Sequence, residues 1–172
     1  MNFKTLAMVL LMGVDVVYGE SSTQETKVLK TNFFTAYVLP AGREDRIVIR
    51  RHEPRDIAEL SLLSSDENSG RFVQDIQWSS DRRFLVFSTG SVGGHSPWNH
   101  RTYVFSTKHW KFLCLDDSIA PVVSEKISFQ DPSHIIVNVI KDADSGSDDP
   151  KQRIVDLNSL GWKKVIYPED PQ

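Results

Sequence analysis

In this chain of 172 residues, 20 Lys and Arg nearly balance 23 Asp and Glu, for a formal net charge of −3. That balance provides no concentrated basic surface, which excludes nucleic acid as the expected partner. With 40% hydrophobic and 10% aromatic residues, the chain holds enough apolar matter for the core of one domain.

At the N-terminus, Lys4 is followed by the apolar run Leu6 to Val14, and Val17-Tyr18-Gly19 sets small or apolar residues where a signal peptidase reads. This is the layout of a secretory leader, and the run is too short to span a membrane stably. The expected division is therefore a leader over 1–19, a flexible polar lead-in over 20–32 and one β domain over 33–172. Removing 1–19 takes out Lys4 and Asp15, one charge of each sign, so the net charge stays at −3. Cys114 is the single cysteine and no Asn-x-Ser/Thr sequon occurs. An export signal without a disulfide or glycosylation site fits a bacterial periplasmic or secreted protein with no membrane span after leader removal.

Phe33 to Leu39 reads as a strand ended by Pro40-Ala41-Gly42, and Ile47-Val48-Ile49 alternates as a half-exposed strand. Asp56 to Leu63 is ambiguous, because Ile57, Leu60 and Leu63 also fall at helical spacing. Arg43, Arg46, Arg50, Arg51 and Arg55 alternate with Glu44, Asp45, Glu53 and Asp56, which suggests a solvated face or a protected edge strand.

A repeat follows. Trp78 and Phe129 are 51 residues apart (129 − 78), as are Phe84 and Ile135 (135 − 84). Tyr103 matches Ile154 at the same offset, and Trp110-Lys111 matches Trp162-Lys163 at 52 (162 − 110). A fixed period of this size points to blade-like units. The first clear unit has strands over 72–78, 84–88, 102–106 and 110–115. The second has strands over 126–129, 135–140, 153–157 and 162–167. An irregular unit over 33–70 precedes units over 71–121 and 122–170. Trp110 and Trp162 are expected in equivalent packing positions.

The segment Trp78-Ser-Ser-Asp-Arg-Arg-Phe-Leu-Val-Phe-Ser88 resembles the W-S-P-D-G-K-x-L-A-F-S repeat of TolB-like and WD40-like β-propellers. Ser80 stands in place of the Pro and Arg82 in place of the Gly, whereas Trp78, Asp81, Leu85 and Phe87 fit. The resemblance covers about two units, Val73 to Tyr167. It implies an all-β fold of antiparallel four-stranded meanders in a propeller-like arrangement. A closed ring takes about four or more blades, so this chain is too short for a complete single-chain propeller. Gly93-Gly-His-Ser-Pro-Trp98 also looks like a motif of small exported bacterial proteins of unknown function, and that likeness implies no activity.

Strand direction places the long loop Thr89 to Arg101 at the same end of the sheet as Asp116-Asp117. His95, Trp98, His100, Tyr103, Asp116 and Asp117 are therefore the candidate ligand-binding residues. Trp98 offers a stacking face, and two glycines and Pro97 shape the loop. The alternative is a folded-back loop whose Trp and His side chains cap the sheet. His95 and His100 have metal-ligand chemistry, but their spacing in a loop fixes no facing geometry, so no metal is assigned. Asp142 to Asp149 is similar to a calcium loop, yet Gly146 fills a ligand position and no bidentate Glu follows, which favours a solvated acidic loop. No nucleophile elbow, P-loop, HExxH or dinucleotide fingerprint occurs. The expected function is a binding module for a protein, glycan or small ligand, without a cofactor. The alternatives are an assembly subunit completed by a partner and a small hydrolase with a His base, and a homo-oligomer is among the partner expectations.

Overall fold

The structure is a computed structural model that describes residues 26–41, 44–62, 71–91, 100–124, 126–140 and 150–162. The expected leader, the 92–99 loop with His95 and Trp98, the acidic 142–149 segment and the final strand over 163–167 all lie outside the described residues. The described chain is all-β, apart from one helical turn, and forms three antiparallel sheets.

Sheet 1 is a meander of β1 (Lys27–Lys30), β2 (Phe34–Ala41), β3 (Glu44–Arg51) and β4 (Asp56–Ser61). The expected irregular first unit is thus a full four-stranded sheet, and Lys27–Lys30 is part of it rather than of a flexible lead-in. β1 escapes a sequence reading because its two apolar residues lie between lysines. Those lysines suit a sheet edge, where charge discourages further pairing. In β4 the pairing with β3 settles the ambiguous period. Ala58 and Leu60 turn inward and are buried, while Ile57 and Glu59 face out.

Sheet 2 is a second meander of β5 (Arg71–Trp78), β6 (Phe84–Ser91), β7 (Arg101–Ser106) and β8 (Lys111–Cys114). β6 runs three residues past its expected end at Ser88 (91 − 88) because Gly90 and Ser91 pair with Phe72 and Arg71. After β8 comes the single turn α1 (Asp116–Ile119). Sheet 3 contains β9 (Ser128–Asp131), β10 (His134–Val139) and β11 (Lys151–Asp156), in the order β11-β10-β9. β9 begins two residues later than expected (128 − 126). Before it, Val122 bridges Val139 and Ser124 Oγ accepts the Asn138 N–H, so the strand is entered in two pieces.

Two apolar clusters stack the sheets in chain order. One joins Ala36, Val38, Ile47 and Ile49 of sheet 1 to Leu85, Phe87 and Phe105 of sheet 2. The other joins Val86, Val104 and Leu113 of sheet 2 to Ile135, Val137 and Val155 of sheet 3. Sheet 2 is therefore covered on both faces, which is why every residue of β6 from Phe84 to Gly90 is buried. Carboxylates link the layers as well. Asp45 of β3 accepts the Val73 N–H at 2.7 Å, and Asp75 of β5 accepts the Ile127 N–H at 3.2 Å.

The matched tryptophans have corresponding neighbours. Trp110 contacts Phe34 of the preceding sheet, with ring centroids 6.3 Å apart. Trp162 lies against Phe84 of its own preceding sheet at 6.1 Å and against His109 at 5.4 Å. Trp110 occupies the turn before β8 rather than the strand itself, with a left-handed φ of 53°.

The turn between β5 and β6 is built by Ser79 and Asp81. Ser79 Oγ accepts the Phe84 N–H at 3.0 Å and donates to Asp81 Oδ1 at 2.8 Å. Arg82, which stands where the propeller repeat has Gly, has a φ of 62°. A side chain in that region crowds the following carbonyl, at a cost of about 1–2 kcal/mol. Arg82→Gly is therefore expected to stabilise the protein by about 1 kcal/mol, read as a raised denaturation midpoint. A lowered midpoint would show that the contact from Arg82 Nη1 to the Ser79 carbonyl, at 3.5 Å, outweighs the strain.

Asp131 does the equivalent work between β9 and β10. Its Oδ1 accepts the Ser133 and His134 N–H groups at 2.8 and 2.9 Å. The Ser133 N–H, followed by the His134 side chain, holds its pKa down to about 2. A carboxyl depressed in the folded state contributes stability above its unfolded value, and that contribution is lost as pH falls through the folded one. The melting-temperature advantage of wild type over Asp131→Asn near neutrality should therefore shrink between the ordinary 3.8 and about 2. An advantage that persists undiminished through that window would contradict this.

Candidate functional site

Antiparallel pairing brings the end of β6, the starts of β5 and β7, and the β8–α1 junction to one end of sheet 2. This end is the rim anticipated from strand direction. His100 immediately precedes β7. Its Nδ1 lies 3.0 Å from Gln74 Oε1. With a carbonyl oxygen as acceptor, Nδ1 is the donor, which makes Nε2 of the neutral ring the acceptor nitrogen.

Two backbone features produce this pair. Gln74 is the extra residue of a β-bulge, since Val73 pairs with Thr89 and Asp75 with Ser88. A bulge turns one side chain away from the regular alternation, here toward His100. Gly90 supplies the space. A Cβ at Gly90 would lie 2.7 Å from Gln74 Nε2 and 2.9 Å from Phe72 Cζ. The missing side chain thus lets the Gln74 amide and the half-exposed Phe72 ring lie across β6.

The other expected rim residues divide into two kinds. Asp117 is exposed. It lies close enough to Arg101 that the arginine's pKa is raised: burial alone would lower it, but the Cys114, Tyr103, Asp117 and Asp116 charges outweigh burial. Tyr103, by contrast, is a core residue. It is 7% exposed and stacks on Phe87 at a centroid distance of 5.2 Å. It lies on the sheet 1 side of β7, by strand alternation with Phe105, and is buried in the core rather than presented at the rim surface.

Asp116 is likewise structural. Its Oδ2 accepts the Thr102 N–H at 2.8 Å, and its Oδ1 accepts the Val122 N–H at 3.0 Å. Burial raises its pKa, opposed by those two N–H groups. The carboxylate thereby ties β7 to the segment that enters sheet 3, and the Cys114 thiol lies 3.9 Å from its Oδ2. Cys114 is buried, and burial, followed by the Asp116 and Asp117 charges, pushes its thiol up to about 11. A thiol in that state is a poor nucleophile at neutral pH.

A concavity lies at the β3–β4 turn, away from the rim. It is an open cleft of about 870 Å³ lined by Arg50, Arg51, His52, Arg55, Asp56 and Ile57. Sequence alone assigns this cluster to a solvated face or a protected edge strand. The structure shows much of it engaged internally. Arg51 lies 4.1 Å over the Trp110 ring, Arg50 lies 5.7 Å over Tyr37, and His52 bonds Thr35 Oγ1 at 2.8 Å and the Asn32 carbonyl at 3.1 Å. Arg51 ties the hairpin to sheet 2, while Arg50 and His52 bond within sheet 1, and these engagements leave the rim as the better candidate.

Among the described residues no cluster of three or more metal-ligating side chains occurs, and no helix is long and apolar enough to cross a membrane. Comparison with protein-family models, curated proteins and solved structures finds no match.

Proposed function

We propose that this protein is a small exported binding module that holds a protein, glycan or small ligand at the rim of its middle sheet. The observation that carries this reading is the Gln74–His100 pair, placed by a bulge and by Gly90 on a sheet buried on both faces. A side-chain pair held from a rigid support presents a fixed hydrogen-bonding group, as selective recognition requires. Phe72 adds apolar surface beside it, and Asp117 and Arg101 add charge of both signs. Ser91 and His100, which flank the 92–99 segment carrying His95 and Trp98, both lie at this rim.

The test is a binding panel of immobilised glycans and peptides, screened with wild type, Gln74→Ala, His100→Ala and Trp98→Ala. The expected result is retention of at least one class by wild type and loss of about tenfold or more in each variant, with melting temperatures almost unchanged. Variants that melt earlier yet retain the ligand would make the pair a structural cap. Export is supported by Lys4, the apolar run to Val14 and Gly19. It requires an N-terminus near Glu20 in protein recovered from its host, and an intact Met1 would contradict it.

A further inference from the structure

Sheet 2 is covered on both faces, whereas sheets 1 and 3 each turn one face away from the stack. Cross-strand register places Lys30, Tyr37, Arg46, Val48, Arg50 and Ile57 on the outer face of sheet 1. Ile57 there is 57% exposed. Glu59 shares the face and pairs with Arg46 at 3.1 Å. Lys30, Arg46 and Arg50 against Glu59 give a formal charge of +2 (3 − 1).

The outer face of sheet 3 has the opposite character. Ile136 lies opposite Ile154, which is 55% exposed, and His134 lies opposite Asp156 and Asp131. Two carboxylates and a neutral imidazole give −2, and a protonated His134 would still leave the face negative. Each outer face is therefore a patch of aliphatic side chains among charges, and the charges of the two faces are opposite in sign.

We propose that these faces dock on one another between two copies of this chain. Sheet 3 of each copy covers sheet 1 of the other, and the pair closes a ring of six sheets. Three observations support a second copy as the occupant. Sheet 1 on sheet 2 and sheet 2 on sheet 3 are two successive face-to-face packings in chain order, and a third of the same kind needs a sheet 1 to follow sheet 3. Three sheets fall short of the roughly four to eight that close a propeller ring, whereas two copies fall within that range. The charges favour sheet 3 against sheet 1 and oppose pairing either face with itself. A head-to-tail contact of this kind yields a closed pair when the rotation per copy is half a turn. The inference is independent of the rim and stands or falls separately from ligand binding.

The test is the mass of the full chain in solution by light scattering, for wild type, Ile57→Asp and Ile154→Lys. Both substitutions replace exposed side chains, and each introduces a charge that repels the facing sheet. Wild type should have the mass of two copies, and each variant alone should weaken association by about tenfold or more. An equimolar mixture of the two variants should recover the pair. One junction in the mixture is wild type, and the other joins the two introduced charges of opposite sign. Arg50→Glu and Asp156→Lys repeat the test on the same faces if either isoleucine variant loses its far-ultraviolet dichroism. A monomeric wild type, variants that still pair, an open polymer, or a mixture that stays monomeric would each overturn the proposal.

Discussion

Replacing Asp116 by alanine is expected to cost the fold about 2–6 kcal/mol, since each of two buried donors left without a partner costs about 1–3 kcal/mol. The Thr102 and Val122 N–H groups both lose their acceptor, and both residues are essentially inaccessible to water. No other acceptor is placed for them, because the main chain around Val122 is already committed to β10 through Val123 N–H to the Asn138 carbonyl at 2.9 Å. Asp116→Asn retains one carbonyl oxygen and should cost about half as much. A denaturation midpoint that hardly moves in Asp116→Ala, together with lost ligand retention, would restore Asp116 to the binding site.

Phe105→Ala is expected to cost a further class of energy, about 3–5 kcal/mol, as for other buried aromatics truncated in a packed core. Phe105 is fully buried on the sheet 1 side of β7. Its ring lies 4.8 Å from Phe112 and 5.1 Å from Trp110. Trp110 in turn contacts Phe34 and carries Arg51 over its face. The cavity would open where sheets 1 and 2 meet, so hydrogen exchange should rise in β2 and β3 before it rises in sheet 3. Lys151→Ala, at an exposed position of β11, should shift stability by less than about 0.5 kcal/mol. Comparable losses from the two substitutions would contradict the stacking order.

The repeat between Trp78 and Ile135 was legible because strand alternation and turn chemistry recur together there. Asp81 and the left-handed Arg82 show how the turn forms without a Gly or Pro in it. Hydrogen bonds from Ser79 and Asp81 shape the turn, and Arg82 tolerates the strain. Sheet 1 was only half legible. Lys27 to Lys30 has too few apolar residues to register as a strand, and Ile57, Leu60 and Leu63 mimic a helix until pairing with β3 sets the period.

The rim was legible as a place, because strand direction alone brings Asp116 beside Thr102. Its chemistry was less so. Alternation along β7 could have placed Tyr103 inward, two residues before the buried Phe105. The role of Asp116 depends on where the chain turns after α1, which no local pattern encodes. Gln74 gave no signal, since a bulge is a property of two paired strands. The one available hint was Gly90 inside a β-branched and aromatic strand, a common sign of close approach by another group.

The most direct measurement is the nitrogen-15 spectrum of the His100 imidazole at neutral pH, assigned by comparison with His100→Ala. If Gln74 holds the ring as described, Nδ1 should carry the proton and Nε2 should show the shift of a bare nitrogen. Gln74→Leu should abolish that preference, and a ligand retained by the panel should move the Nε2 resonance. A His100 ring protonated mainly at Nε2, or one whose tautomer ignores Gln74 and whose resonances ignore the ligand, would contradict the rim as the binding site.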